Sequence, residues 1–246
     1  MSSLSTSDRE RAIEEQLLNG NIPRFLRRLK PVTLGREQAA ASDSAESAVA
    51  TICVMPDYLA IGSDEDYLRI PANLHTARAV ATAFGFVLPT TTMVDAIYEQ
   101  ATYHLQPRPL PAGPQMASTT YYVNHNDLVQ RALPSNYAGE LVAGDKKDVV
   151  LTNRLLSKPG QIAIYGWHRP DAKPIQPLST VHGVGYADYS HGIRLVSATV
   201  LLNGETRSMH EVLAAPAFAP ILSREGPIDA NRVLMAAERR LSAMAD

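Results

Sequence analysis

The sequence predicts an α+β fold, a single domain in which a mixed or antiparallel sheet is flanked by helices. Three observations predict it. Helical patterns come in pairs and strand patterns in runs, rather than alternating as βαβ units would. The clearest strand pair, residues 194–202 and 205–209, is joined by Asn203-Gly204, the dipeptide of a tight antiparallel hairpin. A length of 246 residues, 45% apolar and 20% charged, suits a globular chain that buries its own core.

The elements follow in order. Ser7-Asp8-Arg9-Glu10 has capping-box spacing and predicts a helix to about Leu18, stopped at Asn19-Gly20. Residues 22–29, with Pro23 in the first turn, read as a short second helix that completes an N-terminal helical arm over 1–34. Residues 35–47 lack periodicity and read as a loop. The apolar run 48–55 reads as a buried strand with Cys53 as a small buried hydrophobe, and 57–71 as two strands around Gly62-Ser63-Asp64. Asn73 caps a helix ended by Gly85. Thr90 to Thr92 cap another, with Met93, Val94, Ile97 and Ala101 on one face. The prolines 107, 109, 111 and 114 mark an extended connector over 104–116. Residues 118–123 (STTYYV), 149–152 and 161–165 read as strands, and 229–244 as an amphipathic helix.

Composition excludes more than it indicates. One cysteine forms no internal disulfide and no cysteine-based zinc knuckle. A net charge of −2 leaves no basic footprint for nucleic acid. No apolar stretch is long enough for a membrane span, and the N-terminus has no hydrophobic signal region. The default expectation is therefore a cytoplasmic protein, with export after signal removal as the alternative; the oligomeric state is left open. The charge is unevenly spread, at −6 over residues 37–71 and +4 over 146–207. Residues 160–192 hold three of the seven histidines, five of the 14 glycines and the only tryptophan.

That segment, with the polar cluster Asp145-Lys146-Lys147-Asp148 upstream, makes the candidate site over 145–194. His168 and His182 are candidate general bases, Asp188 would orient an imidazole, and Ser190 is a candidate nucleophile. Lys147 and Arg194 would stabilise developing negative charge. Tyr165, Trp167, Tyr186 and Tyr189 offer flat surfaces for a peptide or sugar, with His125 as a further site member or a helix cap. If 188–191 is extended, Asp188 and Ser190 face one way while Tyr189 and His191 face the other. His182, His191 and Asp188 also make a mixed ligand set that zinc accepts. A third reading pairs Asp148 with Asp188 as glycosidase-type carboxyls.

Two resemblances arise from these residues. Thr180-x-His182-x-x-Gly185-x-Ala187, followed at once by Asp188, partly resembles the Ser-x-His-x-x-Gly-x-Ala-x-Asp motif of zinc D,D-peptidases. Here the acid stands one place early and Trp167-His168 lies upstream rather than downstream. Ala163-Ile164-Tyr165-Gly166-Trp167-His168 and Asp188-Tyr189-Ser190-His191-Gly192, with Lys146-Lys147-Asp148 and Pro56-Asp57-Tyr58, are similar to segments of an uncharacterised bacterial family. That similarity supplies no chemistry. The leading expectation is a hydrolase, metal-dependent if zinc binds, acting on a peptide or cell-wall amide or on a glycosidic bond. The alternative is a non-enzymatic module that binds a saccharide or peptide in the same cleft.

Overall fold

The computed structural model describes residues 4–35 and 48–239. In chain order the elements are α1 (Thr6–Leu18), β1 (Lys30–Gly35), β2 (Val49–Val54), β3 (Ala60–Gly62), β4 (Tyr67–Arg69), α2 (Leu74–Phe84), β5 (Phe86–Val87), α3 (Thr91–Glu99), β6 (Tyr103–His104) and α4 (Thr119–Gln130). They continue as β7 (Val142–Ala143), β8 (Lys147–Val149), β9 (Ile164–His168), β10 (Pro174–Ser179), β11 (His191–Gly192), β12 (Val196–Leu202), β13 (Glu205–Ser208), α5 (Met209–Ala214), α6 (Ala219–Leu222) and α7 (Ala230–Glu238). The fold is α+β, as predicted.

Two sheets organise it. The first runs β1-β2-β12-β13, all antiparallel, with β5 added to the start of β12. Its outer hairpin turns at Asn203 (φ 51°) and Gly204 (φ 83°), the two left-handed residues that a tight turn between twisted strands requires. The second sheet runs β10-β9-β8-β11 and is mixed, because β11 lies parallel to β8 while the other pairs are antiparallel. β3 and β4 form the expected hairpin. One contiguous cluster of buried side chains joins both sheets, from Ile13 and Leu17 on α1 to Val233 on α7. Among the described residues, no helix is long and apolar enough to cross a membrane.

Caps explain where several helices begin. The side chains of Asn73, Thr90, Ser118 and Asp229 accept first-turn amides of α2, α3, α4 and α7, and Gly85 (φ 73°) ends α2 in the left-handed conformation.

Other elements depart from the sequence reading. The cap of α1 is Ser5, not Ser7: Ser5 Oγ accepts the Asp8 amide. Only Arg24–Arg27 is helical in the predicted second helix, as a 3₁₀ turn, and residues 30–35 form β1 with Val32 and Leu34 facing inward. The N-terminal segment is thus part of the packed body rather than a helical arm. Residues 119–130 form α4, not a strand, because Ser118 caps a turn whose Tyr122, His125, Asn126 and Val129 share one buried stripe. β8 and β9 are offset from the predicted 149–152 and 161–165. Cys53 is only half-buried, in β2. The predicted loop falls, apart from Gly35, on 36–47, which lie outside the described residues, and the end of the predicted C-terminal helix beyond 239 also lies outside them.

Candidate functional site

The parallel pair β8 and β11 organises the site. Lys147 stands opposite His191 and Asp148 opposite Gly192, so Lys147 and His191 share one face of the sheet and Asp148 points to the other. Upstream of β11 the chain turns instead of extending. The His191 amide donates to the Asp188 carbonyl at 3.0 Å, and the Lys147 amide donates to the Ser190 carbonyl at 2.8 Å. The expectation that Asp188 and His191 point apart is therefore corrected. The turn brings His191 Nε2 to 3.9 Å from Asp188 Oδ2.

Asp188 is held by three donors. Its Oδ1 accepts the Ser190 amide at 2.8 Å and the Ser190 hydroxyl at 2.6 Å, and its Oδ2 accepts the Tyr186 hydroxyl at 3.0 Å. Burial alone would raise this carboxyl. The His191 ring, the Ser190 donors and Lys147 outweigh it and hold Asp188 below the ordinary carboxylate value. His191 is fully buried; desolvation and the neighbouring lysines overcome Asp188 and push the imidazole down to about 4, so the ring is neutral at pH 7.

The rim reaches solvent through His182, Tyr186 and Lys147, all half-buried. The His182 ring stacks on Tyr186 at 4.3 Å and lies 6.1 Å from the His191 ring. Its link to Asp188 runs through the Tyr186 hydroxyl. Lys147 Nζ sits 5.1 Å from the centroid of the Trp167 ring. Trp167 holds a left-handed backbone (φ 58°), a rare and costly conformation for a bulky residue, placed at the edge of this cluster.

Behind the rim lies a buried layer. Lys146 Nζ donates to the Tyr189 carbonyl at 2.6 Å, tying the middle of the 188–191 turn to the strand beside it. Burial brings this ammonium down to about 8. Asp145 is fully buried beside it, and desolvation with the nearby Asp57 raises its carboxyl. Asp57 is neutralised by Arg69, whose Nε and Nη2 both donate to it. His125 packs against Tyr189 (5.0 Å) and Trp167 (6.3 Å), and burial drives it down to about 2. Buried side-chain polar atoms without a protein partner concentrate here. Apart from Arg9 Nε, and Asp148 Oδ1 on the other face of the sheet, those among the described residues belong to His125, Asp145, Trp167 and His191. Such atoms are rare in folded proteins.

The opposite face of the sheet carries a separate group. Tyr58 donates to Asp148 Oδ2 at 2.9 Å, and burial lifts the Asp148 carboxyl to about 6 against the pull of Arg194. His168 Nε2 lies 3.0 Å from Asp95, which also accepts from Tyr165 (2.8 Å) and Arg224 (2.6 Å).

The structure therefore brings together Lys147, His182, Tyr186, Asp188, Ser190 and His191, and leaves others elsewhere. His168 and Tyr165 belong to the Asp95 group; regular alternation would put Tyr165 with Trp167, and the left-handed backbone at Trp167 (φ 58°) interrupts it. Trp167, Tyr189 and His125 are buried and line the cluster from within, offering no platform to a ligand at the surface. Arg194 is also buried, with Nη1 and Nη2 spent on the carbonyls of Met55 and Val142, so it braces strands rather than facing a cleft. Asp148 and Asp188 point to opposite faces and do not form a glycosidase pair. Among the described residues no three His, Cys, Asp or Glu side chains converge as ligands, and the Asp188 oxygens are already engaged. The residues as arranged do not fit zinc. The sequence reading missed Lys146 as the tie to the turn and Asp95 as the partner of His168. The alternation Lys146-Lys147-Asp148 was a signal for the first, while 73 residues separate the second pair. Comparison with family models, curated proteins and solved structures returned no match for this chain.

Proposed function

We propose that the chain is a hydrolase that cleaves an amide in a peptide or cell-wall peptide by acid–base chemistry at the cluster of His182, Tyr186, Asp188, His191 and Lys147. The observation that carries this reading is the position of His182. It is a solvent-reaching imidazole stacked on Tyr186 over the buried Asp188 and His191, with Lys147 opposite His191 across the strand pair.

In this reading His182 takes a proton from a water that attacks the amide carbon. The new C–O bond forms, the C–N bond breaks, and the proton passes to the departing amine. Asp188 fixes the Tyr186 hydroxyl, which holds the imidazole plane. His191, neutral and buried, fills the space beneath without competing for the proton. General acid–base groups of this kind contribute about 10²–10⁴-fold to rate.

The test is incubation with peptidoglycan and with N-acetyl peptides, products being read by mass spectrometry. A new amine and carboxyl identify amide cleavage, whereas a new reducing end identifies glycosidic cleavage. His182→Ala should lower kcat about 100-fold or more. Saturable binding with no product from any substrate would replace this reading with the binding module.

A further inference from the structure

Lys147 is the charge at the rim for which the described residues supply no partner. Among the described residues none of its three N–H bonds has a hydrogen-bond acceptor, and no carboxylate is close enough for an ion pair. Its nearest acid, Asp188, has its oxygens filled by Ser190 and Tyr186. Yet the side chain is not loose. Its backbone is fixed in β8 between β9 and β11, and Nζ is set 5.1 Å from the Trp167 ring, a contact that orients an ammonium without neutralising it.

Partial burial strips water from this ammonium and lowers its pKa against the opposing influence of Asp188. A half-buried cation, oriented but lacking a counter-ion, recovers its lost hydration when an anion docks. The register places Lys147 on the same face as His191, opposite it across the pair, so an anion on Nζ would sit beside the proposed reaction centre. The inward side is closed by Trp167, leaving approach from the rim that His182 and Tyr186 border.

Resting on the hydrolase reading, and naming its substrate class, we infer that Lys147 anchors a carboxylate of the substrate. The site therefore takes peptides whose free C-terminal carboxylate lies close to the amide that is cut. One ammonium offers a point charge rather than a fork, so it selects charge and position over carboxylate plane. A carboxylate is chosen over a phosphate because a single monodentate cation, with Asp188 nearby, suits a single negative charge.

The experiment is an NMR titration of wild-type protein with N-acetyl-dialanines of both chiralities, each as the free acid and as the C-terminal amide. The expected result is at least tenfold tighter binding of one acid than of its amide, with loss of that preference in Lys147→Met and partial retention in Lys147→Arg. Equal affinity of acid and amide in the wild type, or binding of neither, overturns the anchor and needs no variant to fold. So does a Lys147→Met variant that keeps the preference. The two readings fail separately. An acid held through Lys147 but never cut leaves the anchor standing and removes the hydrolase. Acid and amide cut at equal kcat/KM leave the hydrolase standing and remove the anchor.

Discussion

Tyr58 reaches Asp148 by crossing directly over the Cα of Gly192. Its hydroxyl donates to Asp148 Oδ2 at 2.9 Å, and a Cβ on Gly192 would stand 2.5 Å from Tyr58 Cδ1, 2.6 Å from Cε1 and 2.8 Å from Lys146 Cβ. The glycine is needed for space: its φ lies outside the left-handed region. The ring cannot swing aside, being pinned at one end by Asp148 and covered by the Arg194 guanidinium at 4.3 Å.

Gly192→Ala should therefore destabilise the fold by about 1–3 kcal/mol, the range for overpacking a filled interior. Urea denaturation measures it. In a Tyr58→Ala background the same change should cost less than half as much, because the two closest contacts, both with the ring, are gone. Equal costs in both backgrounds would show that the clash is not with Tyr58.

The Asp57–Arg69 pair tests whether the buried charges are held as tightly as the geometry implies. Both side chains are fully buried, and the guanidinium also donates to Asn126, Gln130 and Tyr67. Asp57→Ala leaves a buried guanidinium without its counter-ion and should cost about 3–5 kcal/mol. Glu205→Ala removes the partner of Arg207 in an exposed pair on β13 and should cost less than about 1 kcal/mol. Chemical denaturation of both variants checks the contrast; comparable losses would contradict it.

Opposed proton uptake at Asp148 and His191 shapes stability in mild acid. Asp148 titrates at about 6 in the fold, above the unfolded value of about 3.9, so between those values the folded state binds more protons and stability falls as pH rises. His191 titrates at about 4 in the fold, below the unfolded value of about 6.5, so its contribution rises with pH across nearly the same window. Asp148→Asn removes the falling component. The gain in unfolding free energy from pH 4.5 to pH 6.5 should then be larger than in the wild type by on the order of 1 kcal/mol. Urea titrations at the two pH values decide it, and an unchanged gain would mean that Asp148 is ionised throughout.

Local chemistry explains which parts of this molecule were legible in the sequence. Asn73 and Thr90 cap amides three residues away, and Asn203-Gly204 close a tight turn through their left-handed backbone; each did what its type predicts. α4 was misread because Thr119, Thr120, Tyr121, Tyr122 and Val123 all favour strands, while the cap at Ser118 and the stripe 122-125-126-129 outweigh that preference. The crowding of chemistry-capable side chains into 145–194 was visible. Their partition between two faces was not, because it follows from the parallel register of β8 with β11 and from a turn at 188–191. Neither is set by neighbouring residues. Arg194 shows the cost of that gap: a cation beside a histidine-rich loop is a natural site residue until the fold spends it on the carbonyls of Met55 and Val142.

Ser190 separates the acid–base reading from a nucleophilic one. Its hydroxyl donates to Asp188 Oδ1 at 2.6 Å and its amide donates to the same oxygen at 2.8 Å, so the side chain supports a carboxylate rather than pointing its oxygen at a base. The Ser190 hydroxyl is one of the groups that hold Asp188 in its ionised form. Ser190→Ala deletes that donor while the amide bond and the turn remain. On the hydrolase reading the variant should lose no more than about 10- to 100-fold in kcat/KM, since one hydrogen bond to a charged group contributes about 1.5–3 kcal/mol and the amide donor persists. The acid limb of its pH–rate profile should move upward, because Asp188 then protonates at higher pH and loosens its hold on Tyr186. A nucleophilic serine gives a different result: removing it costs several orders of magnitude in kcat. A full pH–rate profile of Ser190→Ala distinguishes the two. Retained activity with a displaced acid limb assigns Ser190 to positioning, and abolished activity in a folded variant would make it the nucleophile.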